Sequence, residues 1–254
     1  MVTKPVLATA SLGRRFGGLV AVDDVTLSIA PRAVHAVIGP NGAGKSTLIN
    51  LLSGDLRPSS GTIRLGAQDI THWPSHRIAR HGVARSFQHT NVFGAFSAFE
   101  NCRLAAQSRH PGFARWLTPA ERYADWNDAA SAALAAVGLG ERAGAAAAEL
   151  SHGERRALEI AMALATGPSL LLLDEPLAGM GPEESAHIVL LLKKLATDHA
   201  ILLVEHDMDA VFALADRLTV MVNGRILASG APDAIRANAD VQRAYLGADA
   251  VAAR

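Results

Sequence analysis

A glycine-rich segment has the residue types and spacing of a phosphate-binding loop. The stretch from Gly39 to Thr47, GPNGAGKST, matches the pattern G-x-x-x-x-G-K-[ST]. Glycines let backbone N–H groups turn towards an anion, and the N-terminus of the following helix adds partial positive charge. A lysine placed like Lys45 reaches the β- and γ-phosphates of a nucleotide, and the Ser46 hydroxyl is a ligand for Mg²⁺. We therefore expect the nucleotide on Gly39, Pro40, Asn41, Gly42, Ala43, Gly44, Lys45, Ser46 and Thr47.

Two acidic residues follow an apolar run of four leucines. Asp174 and Glu175 come directly after Leu170 to Leu173, which has the pattern of a buried strand. In a parallel α/β sheet this end of a strand faces the crevice where ligands bind. We expect Asp174 to hold Mg²⁺ through water and Glu175 to polarise the attacking water. An ordinary acidic turn is the alternative, and it is weak beside a phosphate loop, so the sequence predicts a nucleoside triphosphatase.

The elements that must position these groups alternate between strands and helices. A short apolar strand over Val34 to Ile38 leads into the loop, and a helix over Lys45 to Ser53 leaves it. Because the loop pattern lies between a strand and a helix, an ordinary glycine-rich turn is disfavoured. Further predicted strands are Leu7 to Ser11, Val20 to Ile29, Gly61 to Leu65, Val83 to Phe87, Ser169 to Leu173 and Ala200 to Val204. The predicted hairpin joins Leu218 to Val222 with Arg225 to Ala228 through Asn223-Gly224, and a helix spans Pro182 to Ala196.

An alanine-rich, helical stretch of about sixty residues interrupts this α/β pattern. The change of character extends from about Thr90 to Leu150. Capping boxes at Thr118 to Glu121 and Ser151 to Glu154 predict helices running to about Val137 and Thr166. Asp207 is expected to cap a further short helix. We therefore predict an α/β core with a helical insertion.

Composition excludes several classes of protein. The 254 residues include 24 Lys plus Arg and 24 Asp plus Glu, so the net charge is zero, which disfavours a dedicated nucleic-acid binder. Half of the residues are hydrophobic, which excludes a disordered chain. No apolar run approaches the roughly 20 residues of a membrane span, and no signal peptide is apparent. A single cysteine, Cys102, excludes an internal disulfide, so we expect a soluble cytoplasmic protein.

Four further motifs make the chain resemble the ATP-binding cassette (ABC) ATPases. Leu150 to Glu154, LSHGE, resembles the LSGGQ signature, while Gln88 and His206 resemble the Q-loop glutamine and the switch histidine. Phe16 resembles the aromatic residue that stacks on adenine. The resemblance extends from about Leu7 to Gly247. It implies an α/β P-loop NTPase core of ABC-ATPase type, with an antiparallel β subdomain and an inserted α-helical subdomain.

The resemblance also implies a role for each motif. Glu175, His206, Gln88 and Lys45 would be catalytic, and Mg²⁺ would be held by Ser46, Gln88 and Asp174. ATP would lie between two cassettes, and the second subunit would contribute Ser151, His152, Gly153 and Glu154 in trans. Two departures stand out. His152 replaces the usual glycine of the signature, and Gly181 stands where the D-loop usually has an aspartate.

Within the family, the chain resembles the LivG-type ATPases of branched-chain amino acid uptake. The segments that carry this resemblance are Arg15 to Val22, Arg85 to Phe93, Pro111 to Trp126, Glu205 to Met208 and Ala244 to Gly247. The implied partners are two transmembrane permease subunits, a second ABC ATPase subunit as homodimer or heterodimer and, indirectly, an extracytoplasmic substrate-binding protein. No nucleic acid is expected. The implied location is the cytoplasmic face of the inner (plasma) membrane, where permease subunits would hold a peripheral subunit.

The resemblance further implies one ABC domain over residues 1–254, with a helical subdomain at about 90–165 and a C-terminal helical tail at about 232–254. Phe93, Phe96 and Phe99 are candidates for docking the permease, and packing inside the helical insertion is the open alternative for them. Relatives for urea, amides or other amino acids, and lipopolysaccharide export, remain alternatives. So do a soluble ABC ATPase acting on DNA or ribosomes and a small-molecule kinase.

Overall fold

Two β-sheets and a group of helices form the framework of the molecule. The structure, a computed structural model, describes residues 4–86, 91–109 and 119–244. The strands are β1 (Leu7–Phe16), β2 (Leu19–Val25), β3 (Ser28–Ile29), β4 (Val34–Ile38), β5 (Ser60–Leu65), β6 (Gln68–Asp69), β7 (Val83–Arg85), β8 (Leu170–Asp174), β9 (Ala200–Val204), β10 (Arg217–Val222) and β11 (Arg225–Gly230). The described residues include the α-helices α1 (Lys45–Leu52), α2 (Ser75–Arg80), α3 (Ala98–Gln107), α4 (Ala124–Ala136), α5 (His152–Ala165), α6 (Pro182–Leu195), α7 (Met208–Leu214) and α8 (Pro232–Arg236).

The central sheet has the strand order β11-β10-β4-β9-β8-β7. Its neighbouring strands are parallel except for the β10–β11 hairpin, whose turn at Asn223 and Gly224 has positive φ at both residues. Every residue of β4, β8 and β9 is buried, as expected for parallel strands covered on both faces. Full burial of one leucine contributes about 1.5–3 kcal/mol, so these apolar runs fix the strands that carry the site.

A second sheet is antiparallel and packs beside the phosphate loop. Its order is β2-β1-β5-β6, and β3 also pairs with β1. The strand predicted over Leu7 to Ser11 continues to Phe16, because a bulge between Leu12 and Arg14 lets β1 stay paired with β2. The sequence prediction missed β6 and α2, which are short and lack a clear apolar period.

Helices α3, α4 and α5 pack on one another around small apolar side chains. Ala98, Cys102, Ala130 and Ala133 are buried there with Leu134. Small side chains let helix axes approach closely, and alanine also has the highest helix propensity. The helical insertion predicted from the sequence therefore shares one apolar cluster with a face of the central sheet, including Val34, Leu171 and Ile201.

One predicted helix start is wrong. The capping box at Thr118 to Glu121 does not open a helix to Val137, since Ala120–Arg122 is a 3₁₀ turn and α4 begins only at Ala124. Tyr123 is extended (φ −90°, ψ 101°) and packs on Trp126 with ring centroids 4.2 Å apart. The Glu121 carboxylate pairs with Arg103 at 3.3 Å instead of with a helix N-terminus. Tertiary packing of the aromatic pair and this ion pair override the local signal. Thr118 lies outside the described residues.

Other predicted elements lie within a few residues of the observed ones. The strand predicted over Val83 to Phe87 is Val83–Arg85 in the described part of the chain, because Phe87 lies outside it. In the tail, α8 is followed by helical residues 239–244, and residues 245–254 are not described. Among the described residues, no helix has the length and apolar character needed to cross a membrane.

Candidate functional site

The glycine-rich segment forms a loop between β4 and α1, which begins at Lys45. Gly44 has φ 97°, and a Cβ there would lie 2.3 Å from the Ala21 carbonyl oxygen. At Gly39, a Cβ would lie 2.2 Å from the Met221 carbonyl oxygen. Side chains at these positions would clash with neighbouring backbone, so only glycine permits this close path. Asn41 and Ser46 are exposed beside it, which leaves the loop open to a ligand.

The Lys45 ammonium lies back over its own loop. Its Nζ donates to the carbonyl oxygens of Gly39 at 2.6 Å and Pro40 at 3.1 Å. Burial lowers the pKa of Lys45, and the charges of Glu175 and Asp174 oppose that shift. This electrostatic interaction brings the phosphate loop and the acidic pair into one site. A cation, a helix N-terminus and a glycine-rich turn together fit a polyphosphate.

The acidic pair lies where β8 ends. Asp174 is 4% exposed, and burial raises its pKa, while Arg85 lowers it. Glu175 has a positive φ of 48°, and its N–H donates to the carbonyl of Val204 at 2.9 Å. A non-glycine residue in the left-handed region carries strain, which is common at functional sites. The chain thus turns sharply between two carboxylates at the sheet edge.

The strand register brings the histidine to the same edge. Asp174 is the parallel partner of Val204, and His206 lies two residues beyond that partner. The side chain of His206 is 65% exposed, with Nδ1 3.7 Å from Oε2 of Glu205. Strand β9 also pairs in parallel with β4, on the side away from β8. The phosphate loop follows β4, so it leaves the sheet at this same edge. Lys45, Glu175 and His206 therefore lie at the same edge of the central sheet.

Glu205 is a buried carboxylate that the sequence analysis missed. It is 0% exposed and accepts hydrogen bonds from the N–H groups of Leu177 at 2.8 Å and His206 at 3.1 Å. Burial raises its pKa, and these hydrogen bonds oppose the shift. Glu205 therefore fixes the backbone of the histidine relative to the chain after Glu175. An acid directly after an apolar strand is the sequence signal that could have found it.

Arg85 is a second residue that the sequence analysis missed. Its Nη1 donates to Oδ1 of Asn50 at 2.6 Å and to Oδ2 of Asp55 at 2.7 Å, while Nη2 lies 3.6 Å from Oδ2 of Asp174. It therefore ties α1, which follows the phosphate loop, to the end of β8. A cation at the end of a short apolar strand was the available signal.

The signature segment opens α5 with the predicted capping box. Ser151 Oγ accepts from the Glu154 N–H at 3.2 Å, and a Glu154 oxygen accepts from the Ser151 N–H at 2.8 Å. The Gly153 N–H donates to Oε1 of Glu184 on α6 at 3.2 Å. His152 is exposed. Within the described residues these groups bond to each other, to Glu184 on α6 and to Arg142, whose Nε lies 3.3 Å from Oε1 of Glu154, and not to the phosphate loop.

The aromatic candidates differ in exposure. Phe16 is 41% exposed at the end of β1, with the Arg14 guanidinium carbon 4.5 Å from its ring centroid. Phe93 and Phe96 are 54% and 43% exposed with ring centroids 5.4 Å apart, whereas Phe99 packs against the helical core. Gln88, predicted to be a catalytic and metal-binding residue, lies outside the described residues.

The oxygen groups at this edge fit Mg²⁺ better than a transition metal. Ser46 offers an exposed hydroxyl and Asp174 a carboxylate, which are the hard ligands that Mg²⁺ takes beside substrate phosphates. No group of three or more His, Cys, Asp or Glu side chains suited to a metal occurs in the part of the chain that the structure describes. A dedicated protein cage is not required, because phosphates and water complete a Mg²⁺ shell.

Several known proteins are similar to this chain in sequence. Residues 22–178 match the family model "ABC transporter", and residues 225–251 match "Branched-chain amino acid ATP-binding cassette transporter". The chain is 43% identical to the high-affinity branched-chain amino acid transport ATP-binding protein BraF of Pseudomonas aeruginosa, over 97% of this chain and 99% of the relative. It is 42% identical to LivG of Escherichia coli, with the same coverage.

Solved structures have the same fold. The ADP conformation of an ATP-binding cassette of an ABC transporter superposes with a TM-score of 0.87 at 29% identity, covering 96% of this chain and 100% of that one. A nucleotide-free cassette from an ABC transporter gives a TM-score of 0.85 at 28% identity, covering 95% and 98%. The predicted fold class is therefore confirmed.

Proposed function

The chain belongs to the ABC transporter family as one of its ATP-binding subunits, and we propose that it drives the import of branched-chain amino acids. It is an ATP hydrolase whose activity is coupled to transport across a membrane. The substrate class is inferred from the relatives' transport of branched-chain amino acids and from the matching C-terminal segment, 225–251.

The observation that carries the enzymatic part is the shared sheet edge. The register of β4, β9 and β8 supports this, because the loop that carries Lys45, the Asp174–Glu175 pair and His206 all follow strand ends at one sheet edge. Phosphoryl transfer to water requires groups of these kinds, which position the reactants and stabilise the charge of the transition state.

We propose the following roles for the chain's own groups. Lys45 exchanges its bonds to the Gly39 and Pro40 carbonyls for bonds to the β- and γ-phosphates. Glu175 accepts the proton of the attacking water, and His206 hydrogen-bonds the γ-phosphate. Phe16, exposed at the end of β1, stacks on the adenine ring. Mg²⁺, when bound, neutralises phosphate charge, and Ser46, Asp174 and Gln88 are its proposed ligands.

A second cassette completes the site in this proposal. The N-terminus of α5 lies at the surface, with Ser151 and His152 exposed. Its partial positive charge suits the γ-phosphate of ATP bound to another subunit. The proposed contacts in trans are Ser151, His152, Gly153 and Glu154. The second subunit is a copy of this chain or a related ATPase. His152 adds an imidazole beside Gly179, where a Cβ would be 3.7 Å from the ring.

A groove between the helical insertion and the central sheet is the proposed docking site for the permease. A cavity of about 660 Å³ is lined there by apolar groups of β7, α3 and α5, including Val83, Ala84, Ala105 and Met162. Phe93 and Phe96, both exposed, are held on the loop before α3. We propose that the permease, formed by two transmembrane subunits, docks here. A substrate-binding protein then acts through the permease, and the chain lies at the cytoplasmic face of the membrane.

The same proposal treats residues 1–254 as one ATP-binding domain. Residues at about 90–165 form its helical subdomain, which carries the signature. We also propose that a C-terminal tail at about 232–254 belongs to this domain. No nucleic-acid partner is proposed, because the charges balance at 24 of each sign.

Uptake by cells tests the transport proposal. Cells lacking this chain should lose uptake of labelled leucine, isoleucine and valine, and the wild-type chain should restore it while Lys45→Ala should not. Uptake of labelled urea provides the specificity control and should be unchanged. Loss of urea uptake with normal leucine uptake would assign the chain to the other substrate class.

A further inference from the structure

Two opposite charges are buried on one face of α5. Arg156 is 5% exposed and Glu159 is 7% exposed, and their Nη1 and Oε2 atoms are 2.7 Å apart. A buried ion pair gains little net stability, because desolvation of both charges offsets their attraction. The pair therefore calls for an explanation other than stability.

Arg156 holds the backbone around the proposed catalytic carboxylate. Its Nε donates to the carbonyl oxygen of Pro176 at 3.0 Å, and its Nη2 donates to that of Glu175 at 2.5 Å. These bonds fix the carbonyls of the two consecutive peptides that follow the Cα of Glu175. The φ of Glu175, 48°, is in the strained left-handed region. A single guanidinium from α5 thus stabilises the turn that aims the Glu175 side chain.

Glu159 connects the same pair to a third segment. Its Oε2 accepts from Arg156, while Oε1 accepts from the N–H of Asn91 at 2.8 Å. Asn91 lies two residues before Phe93, in the part of the chain that precedes α3. The two side chains therefore join the backbone before α3, the helix that opens with the signature, and the loop after β8.

We propose that Arg156 and Glu159 are positioning residues for ATP hydrolysis, which hold the Glu175 backbone in its reactive conformation through α5. The inference rests on the proposed role of Glu175 in catalysis. Because Arg156 acts through the backbone of Glu175 and does not bond the phosphate loop among the described residues, its loss slows the chemical step and spares nucleotide binding.

Steady-state kinetics of the full-length chain test this split. Arg156→Met should lower kcat by about tenfold or more while the KM for ATP and the affinity for a fluorescent ATP analogue change by less than about twofold. Arg103→Met is the matched control, because it breaks another arginine–glutamate pair of the helical insertion, with Glu121 at 3.3 Å, away from the site. This control should keep the wild-type kcat.

A double variant separates positioning from an uncompensated buried charge. Arg156→Met alone leaves Glu159 buried without its cation, whereas Arg156→Met/Glu159→Met removes both charges. Positioning predicts that the double variant regains thermal stability but not kcat. Recovery of kcat in the double variant, or a wild-type kcat in Arg156→Met, would overturn the inference.

If the methionine variants do not fold, Arg156→Lys tests the positioning role of Arg156 instead. Lysine keeps a cation for Glu159, but one ammonium does not span Glu159, Glu175 and Pro176 as the guanidinium fork does. Its kcat should fall with KM unchanged, and an unaltered kcat would again overturn the inference. Glu175→Gln in the same assay distinguishes a failure of the proposed function from a failure of this inference. An active Glu175→Gln chain contradicts the proposed function, whereas an inactive one beside fully active Arg156 variants contradicts this inference alone.

Discussion

Arg85 places its guanidinium 3.6 Å from the carboxylate of Asp174, across the β7–β8 pair of the central sheet. The same guanidinium bonds Asn50 on α1 and the carboxylate of Asp55. One side chain thus connects the helix after the phosphate loop with the strand that ends at the acidic pair. The two halves of the nucleotide site are linked by charge as well as by sheet pairing.

Arg85→Met should therefore destabilise the fold. It removes the Nη1 donor of Asn50 and the cation 3.6 Å from the buried Asp174 carboxylate, and loss of a partner by a buried polar group costs about 1–3 kcal/mol. Urea unfolding measures the difference. The control is Arg225→Met, which removes an exposed pair with Asp23 and should cost less than about 1 kcal/mol. Equal losses in the two variants would contradict a structural link through Arg85.

Lys45→Ala should weaken ATP binding by about tenfold or more, since the loop loses the cation expected to reach the β- and γ-phosphates. Equilibrium titration with a fluorescent ATP analogue measures this affinity. Lys193→Ala, an exposed lysine on α6, is the control and should bind as the wild type does. Unchanged affinity in Lys45→Ala would argue against the assignment of the phosphate loop.

Glu205 should give the folding free energy a pH dependence. Burial raises its pKa above the ordinary value of 4.5, so the folded state binds the proton more tightly than the unfolded state. Stability is then highest below the unfolded pKa and falls as the pH rises through the folded pKa. Glu205→Gln does not titrate, so its stability relative to the wild type should rise with pH over that window. Parallel pH curves of unfolding free energy for the two proteins would contradict this prediction.

Phe93→Asp should uncouple uptake from ATP binding. The Phe93 side chain is 54% exposed, and its backbone is held by Asn101, which accepts from the Phe93 N–H at 2.8 Å. The substitution should therefore change stability by less than about 0.5 kcal/mol. Leucine uptake should fall sharply while affinity for the ATP analogue stays at the wild-type value. Full uptake by the variant would remove Phe93 from the docking surface.

The sequence predicts the parts of this site that depend on local pattern. The strand at Val34–Ile38, the loop after it and the helix at Lys45 have signals within a few residues, as does the capping box at Ser151 and Glu154. Apolar runs also locate β8 and β9, and hence the edge where Asp174 and His206 meet. At these elements the cause is local, and the predicted and observed bounds agree within a few residues.

Residues that act across distant segments were not predictable in this way. Arg156 and Glu159 resemble an ordinary i,i+3 surface pair in the sequence, and only the packing of α5 against the β8 loop makes them buried. Glu205 and Arg85 likewise acquire their partners through the sheet order. The helix start at Thr118 failed for the same reason, because Glu121 pairs with Arg103 on α3 instead of capping a helix.

The most direct test of the account is the Glu175→Gln substitution in the full-length chain. Glutamine keeps the size of the side chain and removes the carboxylate that we expect to accept the proton of the attacking water. Paired measurements of ATP-analogue binding and steady-state phosphate release should show wild-type affinity and nearly abolished turnover. The molecular mass in solution with ATP should be that of a nucleotide-stabilised dimer. Phosphate release at the wild-type rate would contradict the central claim that this carboxylate drives hydrolysis.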